Sequence, residues 1–149
     1  MSNLYPRARL LWSLTAAGAG TTISAAGNSG AWGGAGSGDW PPLVSAETPV
    51  DLRDIQDVAL FVNVGAVTSS PTMKVGLDVY DDQGNLYADV LQTAAITGTG
   101  TTILAGGLHG YTSGGGSGTY LLLPHWGRVN WSAVSGGTFT GTEIALFGR

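Results

Sequence analysis

Cysteine is absent from this chain, which excludes disulfides and thiolate chemistry and leaves the redox compartment unconstrained. Lysine occurs once, at Lys74. A P-loop needs a lysine directly after its glycine-rich turn, and none stands there. The dinucleotide fingerprint fails too: no three of the 25 glycines fall at i, i+2 and i+5, and Asp39 sits where the third would follow Gly34 and Gly36. Charge is scarce. Only 11% of the 149 residues are Asp, Glu, Lys or Arg, against roughly a quarter in typical soluble domains. The net charge is −4, the basic residues number six, and Arg7 and Arg9 are the one close basic pair. A nucleic-acid binder shows a basic patch, so no nucleic-acid partner is expected. No apolar run approaches the roughly 18 residues of a membrane span, and no membrane partner is expected.

Catalytic constellations are equally scarce. The histidines are His109 and His125, and without cysteine a zinc site would need both plus carboxylates, which the spacing does not suggest. No G-x-S-x-G elbow occurs. Asp51, Asp54 and Asp57 recur at intervals of three and read as a solvated face. Asp78, Asp81 and Asp82 flank a turn, but Gly84 is misplaced for a calcium loop, so turn chemistry accounts for Asp81 and Asp82. No acid pair is singled out for glycoside chemistry. His125, between Pro124 and Trp126, reads as a strand-end side chain, and the sequon Asn130-Trp131-Ser132 lies inside a predicted strand. No enzyme activity, cofactor or metal is therefore expected.

What the chain does contain is strand pattern. In 59–67, Leu60, Val62, Val64 and Ala66 share one face and Phe61 and Asn63 the other; in 73–80, Val75, Leu77 and Val79 oppose Lys74, Asp78 and Tyr80. Period 2 marks half-buried strands. Ser69-Ser70-Pro71-Thr72 joins them as a turn, 80–85 makes the next turn, and 86–96 a third strand. Further strands are expected at 21–26, 101–107, 119–124, 128–134 and 142–148. Only 50–58 has helical spacing, through Leu52 and Ile55, as one turn or a strand approach. About eight short strands with polar turns predict an all-β fold, an antiparallel β-sandwich or jelly roll, as a single domain over 1–149. The opening residues loosely mimic a secretory signal, but the run Leu10–Leu14 is short and broken by Ser13, so an ordered N-terminal segment is expected.

Two long glycine-rich loops are expected, 27–42 and 105–118. The first carries Trp32 and Trp40, the second Tyr111. Glycine lets a loop move and tryptophan makes it adhere. With so little charge, the surface must be built from Gly, Ser, Thr, Ala and apolar side chains, and such a surface associates with itself or with a partner.

The stretch ALFVNVGAVTSSPTMKVGLDVYDDQGNLYADV (59–90) resembles a segment of the small head proteins of tailed bacteriophages, with its Pro71-Thr72 turn and its Asp-Gln-Gly-Asn hairpin. The end, HWGRVNWSAVSGGTFTGTEIALFGR (125–149), is similar to that family's closing strand pair. Tyr87 stands where the family has a tryptophan, and 27–42 has no counterpart. The resemblance implies a capsid decoration, or cement, protein: a compact β-domain, made in the host cytoplasm, that sits as a homotrimer on the outer capsid surface of the virion. There it binds the major capsid protein and ties neighbouring subunits together. On that expectation 1–42 is a partner-binding arm and loop, and Leu4, Tyr5, Trp12, Trp32, Trp40 and Tyr111 are the partner-contact candidates. Other readings from the same residues are a tail, baseplate or head-fibre module, or a carbohydrate-binding β-sandwich with Trp126 or Trp131 on sugar.

Overall fold

The computed structural model describes residues 7–14, 21–24, 29–31, 50–107, 123–133 and 136–149. All of the regular structure in these residues is strand: β1 (Arg9–Ser13), β2 (Thr21–Ser24), β3 (Ser29–Ala31), β4 (Val50–Asp51), β5 (Asp57–Val64), β6 (Ala66–Thr68), β7 (Met73–Tyr80), β8 (Leu86–Gln92), β9 (Gly100–Gly107), β10 (Trp126–Ala133) and β11 (Thr138–Gly148). They form two antiparallel sheets packed as a sandwich. One has the order β1-β11-β5-β9, with β2 and β6 also paired to β11; the other has the order β3-β10-β7-β8, with β4 also on β10.

Alternation explains why these residues are strands and which way they face. In β5, Val58, Leu60, Val62 and Val64 are buried while the residues between them are half-buried. Ile144 and Leu146 of β11 and Leu104 of β9 join them in the core, against Val75, Leu77 and Val79 of β7, Leu91 of β8 and Val129 of β10. Each such side chain removed from water contributes about 1.5–3 kcal/mol before the entropy of ordering it is subtracted.

The partners of β11 change along its length. The first half of β11 pairs with β2 and β6, the second half with β1 and β5. The change falls at Gly141, whose φ of +62° lies in the left-handed region that side chains disfavour. On the neighbouring path the chain breaks at Gly65, between β5 and β6, so Ala66 is exposed and does not continue the face of Leu60, Val62 and Val64 expected from the sequence.

Other expectations shift in the same local way. The segment 50–58 forms no helix: Val50–Asp51 pairs with β10, a turn closes through the Ile55 N–H donating to the Leu52 carbonyl (3.0 Å), and β5 begins at Asp57. Its buried Leu52 and Ile55 do face the core. The strand expected over 86–96 ends at Gln92, and Ile96 returns to bridge Met73. The loop expected over 27–42 opens with β3, whose Ser29–Ala31 pair with β10. Residues 119–122 of one expected strand lie outside the described residues, and Leu123 and Pro124 are not strand. β1, running through the segment that mimics a signal, is an edge strand on β11.

Candidate functional site

Three places on the sandwich gather chemistry: a buried polar cluster on the second sheet, a hollow at one end, and the outward face of the first sheet. The polar cluster begins with Asp78. Sequence alternation puts Asp78 and Tyr80 on an exposed side, but Asp78 is only 3% exposed and Tyr80 only 2%. The physical reason is a partner 50 residues away, since Arg128 stands opposite Asp78 on β10. Its Nη2 and Nε donate to Asp78 Oδ2 at 2.8 and 3.3 Å, and its guanidinium lies 5.5 Å from the Tyr80 ring centre. Asn130 Nδ2 donates to Asp78 Oδ1 (2.6 Å) and to Asp89 Oδ1 (3.1 Å).

The backbone is shaped to complete this cluster. β8 bulges between its pairings with Leu77 and Val79, and Asp89 takes a φ of +51° within the bulge. That turns the Asp89 N–H onto Asp78 Oδ1 at 2.8 Å. Gly76 is required beneath: a Cβ there would sit 2.5 Å from Asp89 Oδ1 and 3.0 Å from the Leu91 carbonyl oxygen. Both Asp78 oxygens are occupied by donors from the chain itself, which makes the cluster a structural tie between β7, β8 and β10. It also engages Asn130, the first residue of the sequon.

The hollow at the sandwich end is about 320 Å³ and is lined by Arg53, Asp81, Asp82, Leu123, Pro124 and His125. His125 sits just before β10, as expected of a strand-end side chain. Its ring stacks on Trp126 at 5.3 Å between centres, and Nδ1 pairs with Asp82. Asp82 lies in the turn, as expected, and its carboxylate also pairs with His125 across the hollow. Asp81 does serve the turn: it accepts from the Gln83 and Asn85 N–H groups at 2.9 Å each, from Asn85 Nδ2 and from the Tyr87 hydroxyl. The lining carries a histidine–carboxylate pair but no hydroxyl or thiol nucleophile among the described residues. Among those residues no three His, Asp or Glu side chains converge to hold a metal ion.

Two carboxylates here make acid stability testable. The side-chain hydrogen bonds of Arg53 hold the Asp51 carboxyl at about 2, from an ordinary value near 3.8. The amide of Asn85 holds Asp81 below the usual carboxylate range. A depressed carboxylate stabilises the fold above its unfolded value and loses that contribution as pH falls through its folded value. Stability is therefore expected to drop between about pH 4 and pH 2, and Asp51→Asn is expected to flatten that drop. Urea midpoints at the two pH values check it; an equal drop in the variant would rule Asp51 out as a source.

The third place is the outward face of the six-stranded sheet. Register puts its side chains in rows. Leu10, Phe147, Ala59 and Ala105 line up across β1, β11, β5 and β9; the next row is Ser13, Ala145, Phe61 and Ile103. Leu10 is 52% exposed and Ile103 49%, and Phe61 and Phe147 are half-buried. The two phenylalanines meet edge to face at 5.2 Å. Polar rows bound this patch. At one end Arg149 Nε donates to Asp57 Oδ2 at 2.9 Å; at the other stand Glu143, Asn63 and Thr101, the last donating to Asn63 at 3.0 Å. An apolar centre with a polar rim is the make-up of a protein-binding surface.

No family model, curated protein or solved structure matches this chain.

The residues named from the sequence fall unevenly on this geometry. Leu4, Tyr5, Trp32, Trp40 and Tyr111 lie outside the described residues. Trp12 is half-buried and packs against the core, beside Leu146 on β11. On the same strand Leu10 is the exposed apolar side chain. Trp131 also packs against the core, and Trp126 has stacking partners from its own chain in His125 and Arg53. Phe61 was legible as an outward residue of an alternating strand; Ile103 was not, since Leu104 beside it is equally apolar. That they meet Leu10 and Phe147 in one patch depends on strand order.

Proposed function

We propose that this chain is a structural protein of a virus particle, attached to the outer capsid surface, where it holds neighbouring major capsid subunits together. The observation that carries this reading is the apolar patch on the outward face of the six-stranded sheet. A chain with so few charges keeps a contiguous apolar surface for contact rather than for solvent. β1 supplies the edge of that face, through the exposed Leu10. The resemblance to small phage head proteins names the assembly.

Attachment at many sites raises the effective strength of each contact. A domain bound to a lattice through one modest interface, and tied to its own copies through another, gains by effective concentration. In purified virions, mass spectrometry is expected to find this chain in a ratio to the major capsid protein that is one or another simple fraction set by capsid symmetry. A few copies per particle would move it to the tail or a single vertex, and complete absence would overturn the virion reading.

A further inference from the structure

We propose that the outward face of the six-stranded sheet packs on the same face of a second copy of this chain, around a two-fold axis lying in the face and running across the strands. The proposal rests on the reading of this face as a docking surface and concerns the chain alone in solution, where a second copy takes the place that the capsid would occupy on the particle. It is carried by the arrangement of large and small residues. In one apolar row the large side chains are on β1 and β11, Leu10 and Phe147, with alanines on β5 and β9. In the next row the order reverses, with Ser13 and Ala145 small and Phe61 and Ile103 large. The large residues thus form a diagonal ridge with a step on either side.

A two-fold axis across the strands lays each strand over its own copy and exchanges the two rows. Phe147 then faces Ala145 of the second copy, Phe61 faces Ala59, and Ile103 faces Ala105. Every large side chain meets a small one, the interdigitation that sheet-on-sheet packing needs at its spacing of about 10 Å. The same operation exchanges the polar end rows and sets Glu143 against Arg149 of the other copy. Glu143 forms no ion pair with any described residue, and the Arg149 guanidinium keeps donors beyond the one given to Asp57. An axis along the strands also sets large on small and turns Arg149 toward Asp57 of the second copy, but it leaves Glu143 facing Asn63. Only the first axis gives Glu143 a counter-charge, and that selects it.

The size of the face sets the strength. Four strands and four outward rows span about 19 by 27 Å at ordinary strand spacings. That is roughly 1,000 Å² over both copies, the lower bound for a specific interface. A dissociation constant on the order of micromolar is expected. A face that meets itself is isologous and closes as a dimer, whereas a ring of three needs two different patches. The two-fold contact therefore departs from the homotrimer implied by the resemblance.

Sedimentation equilibrium of the purified full chain tests this, with circular dichroism and melting to verify each variant's fold. The wild-type chain is expected to show a monomer–dimer equilibrium. Ile103→Lys, at an exposed position present twice in the contact, is expected to raise the dissociation constant at least tenfold. Leu10→Lys serves as the second variant should Ile103→Lys misfold. Glu143→Arg is expected to weaken the dimer, and Glu143→Arg combined with Arg149→Glu to recover it. A monomer at every concentration, a trimer, or a dimer indifferent to the lysine variants would overturn the proposal. Failure of the double exchange to recover the dimer would overturn the axis. Absence of the chain from virions would leave this result standing, and a monomer in solution would leave the virion measurement standing.

Discussion

Asp78→Ala is expected to destabilise the fold by about 3–5 kcal/mol, because it leaves a buried guanidinium without its counter-charge. Arg128 is 7% exposed and Asp78 3%. Asp78 accepts four hydrogen bonds: two from Arg128, one from Asn130, and one from the backbone of Asp89. Asn130 retains Asp89 after the change; Arg128 and the bulge N–H lose the acceptor that turned them inward. The cost comes from the stranded groups more than from the pair itself. Replacing both partners by apolar residues, Asp78→Leu with Arg128→Met, is accordingly expected to cost less than Asp78→Ala alone. Urea unfolding of the three proteins separates the cases. A loss below about 1 kcal/mol for Asp78→Ala would mean that Arg128 finds water or another acceptor, and that the cluster is no tie.

Phe139→Ala is expected to cost a further large amount, about 3–5 kcal/mol, by emptying space that the surrounding strands cannot refill. Phe139 has no exposed surface, and it sits in the first half of β11 between Ile23 of β2 and Val67 of β6. This half of β11 pairs with β2 and β6 rather than with β5, and the Phe139 ring is part of the buried core there. Phe61→Ala is the internal comparison. Phe61 is half-buried on the outward face, and its truncation removes an edge-to-face contact with Phe147 and part of the apolar patch. It is expected to cost only about 1–2 kcal/mol. Equal losses at the two positions would mean that the outward face is itself packed against something in the monomer.

The contrast between the two phenylalanines shows how far local pattern reaches. Alternation placed Phe61 opposite Leu60 and Val62, and the structure keeps it there. Alternation also placed Asp78 opposite Leu77 and Val79, and it is opposite, yet buried. Period 2 says which side of a sheet a residue takes and nothing about what covers that side. Asp78 is covered because β10 brings Arg128 and Asn130 beside it and a bulge brings the Asp89 N–H over it. No window of sequence around residue 78 contains those partners. Trp12 and Leu10 show the same dependence on strand pairing. The tryptophan looked like an anchor because of its type, but the irregular pairing of β1 between Leu10 and Trp12 turns the indole toward the core and leaves the leucine outside.

What the sequence by itself determined was therefore the content of the fold: short alternating strands, polar turns, an all-β sandwich, and a surface starved of charge. These are properties of neighbouring residues, since burying one face of a strand requires only that every second side chain be apolar. Strand order, the change of partners along β11, the Asp78–Arg128 tie and the patch joining Leu10, Phe147, Phe61 and Ile103 were decided by tertiary structure. Each depends on which distant strands lie side by side, and that choice is made by the packing energy of the whole core rather than by any single segment.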